Sequence, residues 1–145
     1  CAKKRSKKTD QLIQIGSCIN EHMQQDDRCI VAFMNATSQL IPLKDEKSKI
    51  PHTCCNYVKS IDCVRAHIRS VPCAAKNEEL LMEFLRKLFG PMVDFMCADF
   101  VGSDSNSKCA ALGPAPKPDK PHTKHYVSFV ILLTDLIKSM KGRGF

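Results

Sequence analysis

The sequence predicts an all-α fold: a single domain of four or five helices stapled by disulfides, with a proline-rich loop before the last helix. Three observations carry this. Apolar residues recur three and four positions apart along most of the chain, the helical period. Eight cysteines at 18, 29, 54, 55, 63, 73, 97 and 109 are spread over those periodic segments. The length of 145 residues suits one domain with a modest core.

The first helix is expected to open at Thr9, a capping residue, with Asp10 suited to its amino end; Leu12, Ile15, Ile19 and Met23 share one face, and Asp26-Asp27 end it. A second helix is expected over Cys29–Leu40, with Ile30, Phe33 and Met34 inward. Pro42 and the charged run Lys44 to Lys49 read as a loop. Pro51 and Thr53 introduce a third helix whose apolar face is Cys54, Tyr57, Val58, Ile61, Val64 and Ile68, closed by Val71-Pro72. Asn77 caps a fourth, with Glu78 and Glu79 in its first turn. Its broad face carries Leu81, Phe84, Leu85, Leu88, Met92, Phe95 and Met96, and Gly90-Pro91 predicts a kink or two short helices. A long loop from Gly102 continues through the extended run Gly113 to Pro118. The last helix aligns Tyr126, Phe129, Val130, Leu133, Ile137 and Met140. Residues 127–132 also fit a strand, but the helical period continues to Met140, with Lys138 and Lys141 at the carboxyl end. Residues 1–8 read as a basic flexible tail, 9–141 as the disulfide-linked domain and 142–145 as a short tail.

Nine cysteines in 145 residues point to an oxidising compartment. No C-x2-C or paired Cys/His knuckle offers a metal site instead. The expected state is four bridges among the series of eight, with Cys1 left over as a free thiol or as the link of a covalent homo- or heterodimer. The side chains of Cys54 and Cys55 leave a helix about 100° apart. They are therefore expected to tie the third helix to two different neighbours, drawn from Cys18, Cys29, Cys97 and Cys109. Eight cysteines allow 105 pairings, and the spacing selects none of them.

The formal charge is +7, and Lys3, Lys4, Arg5, Lys7 and Lys8 supply most of it, leaving 17 basic against 15 acidic residues elsewhere. Such a tail suits an acidic surface or membrane. Nucleic acid is not expected: there is no tryptophan, and no aromatic residue interrupts the basic run. No run is long and apolar enough to span a membrane. The opening cysteine points to a removed leader or a trimmed chain.

Three families with comparable cysteine patterns do not fit. Plant lipid-transfer proteins carry a C-x-C, and insect odorant-binding proteins a cysteine pair three residues apart; neither is present. Secreted phospholipases A2 place His-Asp after an adjacent cysteine pair. Here Asn56-Tyr57-Val58-Lys59 follows the pair, and His52 precedes it. The segment Cys54-Cys55-Asn56-Tyr57-Val58-Lys59-Ser60-Ile61-Asp62-Cys63, followed by Cys73, an amphipathic helix ending near Cys97, and Cys109, resembles the cysteine-rich helical secreted proteins of arthropods. The 27 kDa haemolymph glycoprotein group and similar gland, saliva and venom proteins are the examples. The resemblance rests on cysteine spacing between Cys54 and Cys109 and does not include the basic tail or the proline-rich loop. It implies an extracellular all-helical domain and no particular chemistry.

No catalytic constellation, metal site or cofactor motif is expected. His122 and His125 have no neighbouring carboxylate, and His52 is close to Cys54 only in sequence. Asn35-Ala36-Thr37 is a glycosylation sequon at Asn35. Phe84, Phe89, Met92, Phe95, Met96 and Phe129, with Met82, could line an apolar pocket or simply fill a core. The leading expectation is a secreted, non-enzymatic interaction protein of venom, saliva, gland matrix or body fluid. It would present a rigid helical surface to an extracellular protein or acidic surface. The alternative is an extracellular carrier of a lipid or other hydrophobic ligand, with its cavity between the fourth and last helices.

Overall fold

The computed structural model describes residues 6–22, 26–100 and 105–140. Cys1, Lys3, Lys4, Arg5 and Lys141 lie outside them, as do the side chains of Ile19, Met23, Leu88 and Phe89. Among the described residues there are seven helices and no strand.

Helix α1 is Lys7–His22. Ser6, not Thr9, starts it: the Ser6 hydroxyl accepts from the Thr9 amide at 3.2 Å, satisfying one of the free donors of the first turn. Lys7 and Lys8 therefore belong to the helix and not to a tail. Helix α2, Asp26–Ser38, buries Cys29, Phe33 and Thr37, one residue per turn. Ile30 was expected inward but is 48% exposed, because the buried stripe passes to one side of it.

Helix α3, Glu46–Ser70, is 25 residues long and forms the axis of the bundle, touching α2 and the three helices that follow it. It begins five residues before Pro51, within the stretch expected as loop. Asp45 caps it by accepting from the Lys47 amide at 3.2 Å. Pro51 is accommodated inside the helix. The helix ends where Val71 turns extended ahead of Pro72, as pre-proline sterics require. Pro72 opens the single turn α4, Pro72–Ala75.

Helix α5, Glu78–Cys97, runs through Gly90-Pro91 as one element and not as two short helices. Asn77 occupies the cap position without a side-chain hydrogen bond. The start of α5 is instead pinned by Glu78, whose two oxygens accept from the Arg69 Nε at 3.0 and 2.8 Å. Helix α6, Ser105–Leu112, occupies part of the expected loop and ends at Gly113, whose φ of +74° is the left-handed conformation that stops helices. Irregular chain then leads to α7, Phe129–Ser139, which is helical as expected; Ser128 caps it through the Ile131 amide.

The bridges are Cys18–Cys73, Cys29–Cys63, Cys54–Cys97 and Cys55–Cys109. The adjacent pair does tie α3 to two neighbours, α5 and α6. A bridge reaches each of α1 to α6 and none reaches α7. The last helix is held by packing, with Leu133 and Leu136 buried against Leu40 and Leu43. A second cluster joins Ile15 and Cys18 to Ile68, Ala74, Leu81 and Met82 at the other end of α3. No helix is long and apolar enough to cross a membrane among the described residues.

Candidate ligand-binding site

The Cys54–Cys97 bridge sets the rotation of α5. Cys54, Val93 and Cys97 are buried together, so the 93/97 edge of α5 faces α3. Met92 and Met96 lie one position earlier on the helix, about 100° around it. That edge faces α7 and opens a groove of about 780 Å³. Pro91, Met92, Phe95 and Met96 of α5 form one wall; Leu133 and Ile137 of α7, Met140 and Ile50 of α3 form the other. Every lining residue is apolar. Phe95, Ile137 and Met92 are 84%, 40% and 36% exposed, so the lining is open to solvent.

A second apolar groove of about 330 Å³ lies between α2 and α3, walled by Ile30, Phe33, Met34, Tyr57, Val64, Val127 and Phe129 among others. Between the two is a neck of only about 10 Å³, room for one water at most. It shares Met92, Met96 and Leu133 with the first groove, and Phe33, Tyr57 and Phe129 with the second. Phe33 and Phe129 meet there with ring centroids 5.4 Å apart, and Tyr57 contacts Phe33 edge-on.

Of the six residues expected in a pocket, Met92, Phe95 and Met96 line the first groove and Phe129 the neck and second groove. Phe84 is a correction. It is 42% exposed and lines neither: it stands on the same side of α5 as Phe95 but eleven residues, about 16 Å, nearer the amino end. The Phe89 side chain lies outside the described ones. Met82 is core, 4% exposed. Ile50, Ile137, Met140, Ile30, Met34 and Val127 were not expected in a pocket. Ile30, Met34, Ile137 and Met140 stood on helix faces already read as apolar, whereas Ile50 and Val127 stood on none.

The charged groups around the grooves are mostly committed. Lys49, 1% exposed, donates to the Ile41 carbonyl at 2.8 Å and to the Ser139 hydroxyl at 2.9 Å. Burial pushes its pKa down, and Glu46 opposes this. His52 is also buried and lowered by desolvation, with Asp45 opposing. It has no thiolate to activate, since the Cys54 sulfur is bonded to Cys97. Among the described residues no three His, Cys, Asp or Glu side chains gather as a metal site would require. His122 Nε2 is 3.0 Å from the Tyr126 hydroxyl.

The segment between α6 and α7 forms a strap with two hydrogen-bonded latches, beside an exposed Lys44–Asp119 ion pair at 3.7 Å. Gln39 clamps His122 by accepting from its amide and donating to its carbonyl, both at 3.1 Å. The Tyr126 hydroxyl donates to Asp135 at 2.6 Å, and Lys124 pairs with the same carboxylate at 2.9 Å. This latch sets where Val127 and Phe129 stand over the second groove. Asn35 is exposed on α2, while Thr37 of its sequon is fully buried, accepting from the Asn56 amide nitrogen at 3.3 Å.

The chain matches no family model, no curated protein and no solved structure.

Proposed function

We propose that the protein is an extracellular carrier of a small hydrophobic ligand held in the groove between α5 and α7. The observation that carries this reading is the groove itself: about 780 Å³, all-apolar, on a scaffold stapled by four disulfides. Ligand sites of small molecules occupy roughly 300–1,000 Å³ and are lined mainly by apolar side chains. Methionine at Met92, Met96 and Met140 suits such a wall, because its unbranched thioether chain adapts to the shape it meets. The disulfides fit secretion into an oxidising medium.

The test is fluorescence of N-phenyl-1-naphthylamine titrated with the oxidised protein. Saturable enhancement is expected, and Ile137→Glu should abolish it by placing a carboxylate on the groove wall at a half-exposed site that leaves the core intact. A wild-type protein that leaves the dye dark would sink the reading, as would an Ile137→Glu protein that binds it equally well.

A second reading is a protein presenting its helical surface to an extracellular partner. Its support is the solvent-facing Val127, 97% exposed, beside exposed Ile30 and Val31. The basic residues Lys3 to Lys8 would add attraction to an acidic partner, weakened by salt. In this reading Val31→Asp, at an exposed residue that lines neither groove, impairs partner capture and leaves dye binding alone.

A further inference from the structure

Three features bear on which hydrophobic molecule the grooves would take. The two apolar grooves are separated by one small void whose walls carry residues of both, so a molecule reaching from α5–α7 to α2–α3 has to part those side chains. The neck is narrow, about 10 Å³. It is also built from movable parts. Met92 and Met96 are flexible, and Phe129 begins α7, the helix that no disulfide holds.

Three hydroxyls stand along this path, those of Thr53, Tyr57 and Ser60, and two of them are spent within α3. The Thr53 hydroxyl donates to the Lys49 carbonyl and the Ser60 hydroxyl to the Tyr57 carbonyl, both at 2.7 Å and both within α3. A peptide threaded here would bury backbone N–H and C=O groups without partners. A rigid fused-ring molecule could fill the first groove but could not pass the neck. A flexible apolar chain of single-file width can do both.

We infer that the occupant is one linear aliphatic chain that runs from the α5–α7 groove past Phe129 into the α2–α3 groove. This rests on the carrier reading and adds the ligand class and its path. Chains short enough for the first groove bind without opening the neck. Longer ones gain affinity for every methylene carried into the second groove, by up to about fourfold each.

The experiment is displacement of N-phenyl-1-naphthylamine by straight-chain alcohols from octanol to octadecanol, which carry no charge to confuse the comparison. It is run on wild type, Phe129→Trp and Ile30→Trp. Phe129→Trp enlarges the ring that stands in the neck. Ile30→Trp fills the second groove from a half-exposed wall position and leaves the first groove untouched, so it decides the matter if the neck variant folds poorly. Wild type should tighten steadily with length. Both variants should bind octanol within about twofold of wild type and lose at least about tenfold for octadecanol. A wild type that gains nothing beyond the short chains, or variants that keep the full gain, would overturn the threaded path while leaving the carrier reading standing. If the dye binds and no alcohol displaces it, the aliphatic class is wrong. If the dye itself does not bind, the carrier reading has failed first.

Discussion

The Lys49 ammonium donates to the Ser139 hydroxyl at 2.9 Å, joining the second turn of α3 to the last residue of α7. Its second bond, to the Ile41 carbonyl, draws in the turn after α2. The cation is 1% exposed. It is a polar clasp on the helix that no disulfide reaches.

Lys49→Ala should therefore cost about 2–4 kcal/mol, since it removes the donor of two part-buried acceptors and the packing of the aliphatic stem. Lys49→Met, which keeps the stem, should cost less. The two also differ from wild type in pH dependence. Burial lowers the folded pKa of Lys49 below the usual 10.5, so between the two values the unfolded chain binds more protons and stability rises with pH. Urea midpoints measured from neutral pH towards pH 10 should climb in wild type relative to Lys49→Met. Parallel profiles would show that Lys49 does not titrate differently on folding.

Cys54–Cys97 and Cys55–Cys109 close loops of similar length, 43 and 54 residues, so chain entropy assigns each about 4 kcal/mol. They differ in burial. Cys54 and Cys97 are 0% and 3% exposed within a core cluster, whereas Cys55 and Cys109 are half-buried. Removing the first bridge by paired alanines should destabilise more than removing the second, by at least about 1 kcal/mol, because it also leaves a cavity. It should also weaken dye binding, since it frees the rotation of α5 that aims Met92 and Met96 at the groove. Equal losses in stability and binding would refute the idea that this bridge aligns the site.

These residues also show what was legible before folding. Helical periodicity located α1, α2, α3, α5 and α7, because each buries a stripe against α3 or its neighbours. Starts were misplaced where two capping residues compete: Ser6 with Thr9, and Asp45 with Thr53 behind the distracting Pro51. Helix α6 was missed because its sequence, Ser105 to Leu112, has no apolar stripe; it is anchored through Cys109. The groove was half legible. Met92, Phe95 and Met96 were visible as an apolar group on α5, but α5 is apolar over so wide an arc that periodicity does not say which edge meets α3. The Cys54–Cys97 pairing decides that, and 105 pairings could not be told apart from spacing. The opposite wall was legible as the last helix, whose apolar face includes Leu133, Ile137 and Met140, but Ile50 is a long-range neighbour with no signal of its own.

The sequon separates two roles that one residue often combines. Asn35 is exposed and Thr37 is fully buried. Expressed through a glycosylating secretory route, the chain should carry a glycan at Asn35. Asn35→Gln should remove it with stability unchanged within about 0.5 kcal/mol. Thr37→Ala should remove it and also destabilise by about 1–2 kcal/mol, because the Asn56 amide loses its acceptor. Mass spectrometry and thermal unfolding of both variants check this, and an unmodified wild type would discount Asn35 as a site.

Tyr126 and Asp135 hold the strap to α7, and their titrations have opposite consequences for it. The Tyr126 hydroxyl is pushed up to about 12, by burial first and then by its bond to Asp135 and that carboxylate's charge. A phenol whose folded pKa exceeds its unfolded value of about 10 retains its proton longer when folded. Its contribution is therefore complete below pH 10 and lost as pH rises towards 12. Asp135 runs the other way. Its pKa is lowered by the Tyr126 hydrogen bond first and by Lys124 next, so its contribution is present above the usual carboxylate range and lost as pH falls through the folded value. The latch is thus closed across neutral pH and opens at both extremes. Burial raises Tyr57 as well, so the Tyr126 ionisation is identified in ultraviolet difference titration as the one lost in Tyr126→Phe, and it should lie near pH 12. Asp135→Asn should bring that ionisation back towards 10, because the neutral amide no longer repels a phenolate. If the titration is unchanged in Asp135→Asn, the carboxylate does not hold the phenol, and the strap is kept over the second groove by the Gln39 clamp and the Lys124–Asp135 ion pair.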